Sequence, residues 1–323
     1  MTIQRPDAGT TLRHPVRRPM HGPVVVGYDE SPEAEAALRW AAGWASTRGA
    51  SLVVVYAVSP PLSLTWSSSS SSSSSPTPAP ELLRRAAQRI ARRGAAQARR
   101  GHPDLEVREL GAVGSPAAEL VAMSQSAELV VVGRRSSEAR ADTSLGSVSF
   151  ALGTHARCPV IVVRGPDVGE VGPGRAVVVG VDSSRPSTRA LQFAADAASA
   201  AGAPLVVVSA WSGPRQEPWM ADLWPDTGTA AARLSDGASG GAAASVREAV
   251  ALVDEWHPEV RVLTRAPQGL AQEVLLDEAR DAGLLVVGSR GQGGFAGLEL
   301  GSVSRSLLRQ AQLPVAVVRD GGI

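Results

Sequence analysis

The chain writes one order of segments twice. PVVVGYDES (23–31) matches AVVVGVDSS (176–184), and ASLVVVYAV (50–58) matches APLVVVSAW (203–211). AELVVVGRR (127–135) matches AGLLVVGSR (282–290), LGSVS recurs at 145–149 and 300–304, and CPVIVVR (158–164) matches LPVAVVR (313–319). Asp29 and Asp182 stand 153 residues apart and Gly146 and Gly301 155 apart, so insertions between the copies are few and balanced. A period this long marks a duplicated domain rather than a solenoid. Two copies in 323 residues also agree with about 100–200 residues per domain.

Within each copy, runs such as VVVG, LVVV and PVIVV are β-branched, unbroken and too short for helices. Strands covered on both faces read this way, which predicts a parallel sheet. Between them lie Ala-rich segments with helical spacing. Over 31–48, Leu38, Ala41, Ala42 and Ala45 share a face, Ser31-Pro32 supplies an N-cap and first-turn proline, and Gly49 ends the helix. Its counterpart spans 185–201 and ends at Gly202; further helices are expected at 81–100, 115–127, 147–156, 243–256, 268–281 and 302–311. About five strands per copy alternating with helices predict a doubly wound α/β domain. The expected boundaries are a disordered tail at 1–22, a first domain at 23–165, a Gly- and Pro-rich linker at 166–174 and a second domain at 175–320. Nine consecutive serines (67–75) place a mobile loop at 63–80.

Composition excludes several chemistries. There is no lysine among the 32 basic residues, so P-loop, Schiff-base and lysine-base mechanisms drop out. One cysteine, Cys158, makes neither an internal disulfide nor a cysteine-built zinc site. The five histidines have no metal-ligand spacing. No apolar stretch reaches the ~18–20 residues of a membrane span, and the polar N-terminal residues carry no signal-like run, so a soluble cytoplasmic protein is expected. The net charge of +1 conceals a split: residues 1–165 hold 19 Arg against 13 acids, and residues 166–323 hold 13 against 18. Seven of the arginines fall in 81–100, with no interleaved aromatics, which reads as a solvated face and makes nucleic acid an unlikely partner.

Three features converge at the expected carboxyl ends of the strands in the second copy: Asp182 after the first strand, Gly288-Ser-Arg-Gly291 after the fourth, and Gly301-Ser302 opening a helix. Glycines allow close backbone approach, helix-start amides favour anions, Ser302 and Ser304 offer hydroxyls, and Arg290 offers positive charge. The pattern G288-x2-G291-x9-G301-S302, with the aspartate and the closing LPVAVV strand, resembles the nucleotide loop of the ATP-binding universal stress proteins. The likeness covers both halves, from about Pro23 to Arg319. It implies two tandem doubly wound, Rossmann-like α/β domains, each a five-stranded parallel sheet with helices on both faces, related by a pseudo-two-fold.

The resemblance further implies an adenine-nucleotide site, for ATP or else ADP or AMP, with Mg2+ accompanying the nucleotide. In the second half it would comprise Gly180, Val181, Asp182, Ala210, Val287, Gly288, Arg290, Gly291, Gly301, Ser302, Val303 and Ser304. In the first half it would comprise Gly27, Tyr28, Asp29, Ala57, Val132, Gly133, Arg135, Ser136, Gly146, Ser147, Val148 and Ser149. Ser136 replaces the second glycine. If that position needs a left-handed backbone, a Cβ costs roughly 1–2 kcal/mol, which predicts a weakened first site. The last strands are expected to pair within the chain as an internal pseudo-dimer, with a further homodimer open. Gly291-Gln-Gly293-Gly-Phe-Ala296 also fits a dinucleotide pattern, but no acid stands about 20 positions on. Three functions stay open: a nucleotide-dependent regulator in the stress response, a slow ATPase or phosphate- or adenylyl-transfer enzyme, and a scaffold with vestigial sites. No catalytic residue and no metal ligand is assigned.

Overall fold

Alternating Val and Leu side chains in short runs leave no polar face, so each run must be covered on both sides. The computed structural model describes residues 22–59, 80–134, 146–165, 171–213, 227–292 and 300–320, with backbone alone at 227–232. The first half is β1 (Val24–Gly27), α1 (Pro32–Arg48), β2 (Leu52–Val58), α2 (Pro80–Gly101), β3 (Val107–Val113), α3 (Pro116–Met123), β4 (Leu129–Gly133), α4 (Ser147–His155) and β5 (Val160–Val163). The second half repeats the order: β6 (Val177–Gly180), α5 (Arg185–Ala201), β7 (Leu205–Val208), α6 (Thr227–Trp256), β8 (Val262–Arg265), α7 (Ala271–Glu278), β9 (Leu284–Gly288), α8 (Ser302–Gln310) and β10 (Val315–Val318).

All ten strands form one sheet in the order β3-β2-β1-β4-β5-β10-β9-β6-β7-β8. Pairing is parallel within each half, and β5 meets β10 antiparallel with Ala316 opposite Ile161. Alternate residues feed two cores. Val24, Val26, Leu52 and Val54 pack with α1 and α2 on one face, while Val25, Val55, Val130 and Val132 pack with Leu120 of α3 and Leu152 of α4 on the other. The same division holds for the second half, so each domain is doubly wound, as the repeat predicts.

Helix ends follow the local chemistry. Ser31 Oγ accepts the Ala34 N–H at 3.2 Å and Ser184 Oγ accepts the Ser187 N–H at 3.3 Å, each with proline in the first turn. Gly49 (φ 64°) and Gly202 (φ 59°) close these helices in the left-handed region. Two differences from expectation stand out. α6 begins at Thr227, not near 243, because Gly237, Gly240 and Gly241 are absorbed into a helix held by packing at its C-terminal part. α3 and α7 are each a single short helix of 8 residues, stopping before the expected ends.

The seven arginines of α2 face solvent, and five of them pair with nearby carboxylates. Arg84 and Arg85 meet Glu81, Arg92 and Arg99 meet Glu109, and Arg93 meets Glu30 at 2.8 Å. The buried stripe beneath them is Ala87, Ala91, Gly94, Ala95 and Ala98. No helix among the described residues is long and apolar enough to cross a membrane. The expected tail (apart from Gly22), the serine loop (apart from Pro80), most of the linker (166–170), Arg135, Ser136 and the Gly293–Ala296 part of the dinucleotide-like pattern lie outside the described residues.

Candidate functional site

In each half, β1 or β6 sits between a strand reached on one side and a strand reached on the other, so the chain leaves neighbouring strands toward opposite faces. Crevices at such switch points take ligands in open α/β sheets. In the first half, the carboxyl ends of β1, β2 and β4 and the start of α4 enclose a cleft of ≈ 270 Å³. Ten of the twelve residues expected in the first site line it: Gly27, Tyr28, Asp29, Ala57, Val132, Gly133, Gly146, Ser147, Val148 and Ser149. Pro116 and Leu120 of α3 close one wall. No local signal marks these two, since only tertiary packing of α3 brings them there.

Gly146 is the N-cap of α4 and brings no side-chain acceptor to that helix start, and among the described residues a Cβ at Gly146 would meet nothing within 4 Å. The first-turn amides of residues 147–149 therefore end at the cleft without the hydroxyl acceptor that Ser31 gives α1. Ser147 is exposed and Ser149 buried. Asp29 is the one carboxylate among the described lining residues, and its Oδ1 accepts both the N–H (3.1 Å) and the hydroxyl of Ser31. The Tyr28 ring lies against Gly94 of α2 and its hydroxyl reaches Gln97 at 3.5 Å. Burial, then the carboxylates of Glu35, Glu30 and Asp29, push the Tyr28 phenol up, partly offset by Arg93. Arg134 is buried at the end of β4, where its N–H bonds the Val163 carbonyl at 2.8 Å.

In the second half, Gly180 and Val181 end β6, Ala210 follows β7, and Val287 and Gly288 end β9. The loop that follows is clasped at its stem: the Gly301 N–H donates to the Ser289 carbonyl at 2.8 Å, and Ser304 Oγ donates to the Gly288 carbonyl at 2.6 Å. Ser304 is buried, and its hydroxyl proton is committed to the loop stem. Ser302 and Arg290 are exposed, and Val303 is half-buried. The glycines also have reasons other than those expected. A Cβ at Gly133 would meet the Glu33 main chain at 2.5 Å and one at Gly288 the Pro186 carbonyl carbon at 2.9 Å, so these glycines let the first turns of α1 and α5, the helices that follow the neighbouring strands β1 and β6, pack on β4 and β9. Gly291 is not among the residues in the left-handed region, contrary to the reason expected for it; a Cβ there would instead run into Asp182 Oδ2.

One feature recurs in both halves and has no counterpart in the expected site. Glu30 (φ 64°) and Ser183 (φ 58°), directly after the two aspartates, are non-glycine residues in the left-handed region. Each is pinned to the second helix of its half, Glu30 by Arg93 and Ser183 by hydrogen bonds of 2.9 Å to Ser245 and Glu248. The signal was present as Asp-x-Ser, the pattern of a turn in which an Asp oxygen accepts the N–H two residues on.

Both halves match the model of the universal stress protein family, over residues 20–164 and 174–319. The chain belongs to the universal stress protein family. It is similar to Universal stress protein Rv2623 of Mycobacterium tuberculosis, at 34% identity over 92% of this chain and 96% of that one. Universal stress protein Rv2005c of the same species is 33% identical over 94% of this chain and 98% of its own length. Among solved structures, a universal stress protein of Archaeoglobus fulgidus superposes with a TM-score of 0.66 over 94% of this chain and 99% of that one, at 18% identity, a likeness of fold. The tandem arrangement is thus shared along the full length of universal stress protein relatives as well as repeated within the chain.

Proposed function

We propose that the first-half cleft binds an adenine nucleotide (AMP, ADP or ATP) and that the chain is a nucleotide-dependent regulator in the stress response. The observation that carries this is the start of α4, which its N-cap Gly146 leaves without a side-chain acceptor and whose Gly146–Ser149 segment forms one wall of the ≈ 270 Å³ cleft. A helix start with unpaired amides favours phosphate oxygens. The opposite walls, from Val55, Leu120 and Val132, are apolar and suit a flat base. The volume lies just under the roughly 300–1,000 Å³ of small-ligand clefts, which favours one mononucleotide over a dinucleotide.

Binding is favoured over catalysis by the state of Asp29. It is the only carboxylate lining the cleft among the described residues and already accepts two hydrogen bonds from Ser31, which makes it a poor general base. A magnesium ion would accompany the phosphates, with Asp29 the one carboxylate among the described lining residues available to it. The antiparallel β5–β10 pair supports reading the chain as an internal pseudo-dimer, with those two strands already covered.

Titration calorimetry with AMP, ADP, ATP and GTP on the purified chain tests the proposal. Adenine nucleotides are expected to bind in the micromolar range, and Ser147→Asp, which sets a negative charge at the start of α4, should weaken binding at the first-half cleft at least tenfold while leaving binding in the second half unchanged. Failure of all three to bind below millimolar concentration overturns the proposal. Phosphate release above the buffer rate would favour the enzymatic reading.

A further inference from the structure

Asp182 and Gln292 are 110 residues apart in sequence, yet the Gln292 N–H donates to Asp182 Oδ2 at 2.9 Å. The other carboxylate oxygen, Oδ1, accepts the Ser184 N–H at 3.1 Å, and the Asp182 N–H itself donates to Ser187 Oγ at 3.2 Å. The carboxylate is thus fixed from behind by the start of α5 and holds the loop after β9 in front. Gly291, the residue before the latched amide, packs directly on the same oxygen, and its backbone is not left-handed. The need for glycine at 291 therefore comes from the carboxylate it leans on.

We propose that Asp182 is a positioning residue for the second-half nucleotide loop, and that Gly291 is required because it seats on Asp182. The inference rests on the adenine-nucleotide reading above, extended to the second half. Asp182 acts through the loop: it sets the path of residues 288–292 between the β9 end and the clasp made by Gly301 and Ser304. A carboxylate suits this because it accepts at both oxygens, whereas an asparagine would turn an NH2 toward one of the two N–H donors.

Two measurements on the full chain decide it. The first is amide exchange at Gln292 without nucleotide, by NMR. Protection is expected in the parent chain, with exchange at least tenfold faster in Asp182→Ala and an intermediate rate in Asp182→Asn; equal rates in all three overturn the latch. The second is ATP affinity in the Ser147→Asp background, which makes the second half the reporter. Gly291→Ala alone should weaken binding at least tenfold, but by less than about twofold once Asp182 is already alanine, because the obstacle is gone. Multiplying effects would mean that each residue meets the nucleotide independently, and would overturn the proposal. If the parent chain binds no adenine nucleotide, the functional reading fails while the exchange experiment still decides the latch.

Discussion

Trp44 of α1 stacks on Phe193 of α5 with ring centroids 5.7 Å apart, so an aromatic contact joins the two halves on the face that carries those helices. Trp40 extends the stack at 4.9 Å from Trp44, and the Arg48 guanidinium lies 4.3 Å from the Trp44 ring centroid. Trp40 and Phe193 occupy equivalent positions in the two copies, while Trp44 corresponds to Ala197, a large residue set against a small one. Burial pushes the Arg48 pKa down from its ordinary value, and the Glu128 and Asp196 carboxylates oppose that shift.

The first prediction follows from this seam. Trp44 is 9% exposed, and truncating a buried Trp costs about 3–5 kcal/mol through lost transfer energy and the cavity left behind. Trp44→Ala should lower stability by that amount in urea unfolding. Among the described residues its buried Nε1–H has no hydrogen-bond partner, a state that costs about 1–3 kcal/mol. Trp44→Phe removes that donor while keeping a ring, so it should stay within about 1 kcal/mol of the parent. A Phe variant as damaged as the Ala variant would show that the indole, and not ring stacking, carries the contact.

Cys158 precedes β5 in the core, and burial pushes its thiol up to about 12. The folded protein should therefore resist a thiol-specific disulfide reagent at pH 8 and react at once when unfolded. The linkage has a definite sign. An unfolded thiol ionises near pH 8.5, so between roughly pH 9 and 12 the unfolded chain binds fewer protons than the folded one, and stability falls as pH rises. At most this adds about 1.4 kcal/mol per pH unit. Cys158→Ala should lose that part of the alkaline slope; an unchanged slope would place the thiolate in a solvated environment.

Much of the architecture was legible because burial on both faces leaves a mark in sequence. VVVG, LVVVG and VIVV could not be half-exposed strands or helices, and the serine and glycine caps of α1 and α5 act through neighbours within a few residues. The segment content of the first cleft was legible for the same reason, since residues at strand ends and at the α4 start must converge at a switch point. What escaped was long-range. Leu120 enters the cleft only when α3 packs, and Gly291 and Asp182 meet only when β9 lies beside β6. The N-terminal part of α6 escaped for the opposite reason, because local glycine propensity argued against a helix that tertiary packing sustains.

β3 is an outer strand of the sheet, and Gln88 of α2 bonds two of its backbone groups. Gln88 Oε1 accepts the Gly111 N–H at 2.7 Å and Nε2 donates to the Glu109 carbonyl at 3.3 Å, while Gly111 leaves room for the α2 backbone. Unpaired outer strands invite intermolecular pairing. Gln88→Ala should cost about 1–2 kcal/mol and increase aggregation on heating, read by light scattering. Gly111→Val should prevent folding, because its Cβ would overlap the Gln88 main chain. A soluble, folded Val variant would mean that α2 can shift away from β3.

The left-handed residues after the two aspartates offer a test that separates backbone strain from side-chain contact. Glu30 adopts φ 64° and pairs with Arg93, but the two side chains are 40% and 64% exposed, and such ion pairs contribute about 0–1 kcal/mol. A non-glycine residue in this region costs roughly 1–2 kcal/mol. Glu30→Ala keeps the strain and loses the pair, so it should destabilise slightly, by about 0.5 kcal/mol. Glu30→Gly loses the same pair but relieves the strain, and should be about 1 kcal/mol more stable than Glu30→Ala after the extra flexibility of the unfolded chain is counted. The same difference is expected between Ser183→Gly and Ser183→Ala, because Ser183 adopts φ 58° in the second half. Equal stability of the Ala and Gly variants at both positions, measured by urea unfolding, would show that the turns relax to an ordinary backbone once their side-chain tethers are cut.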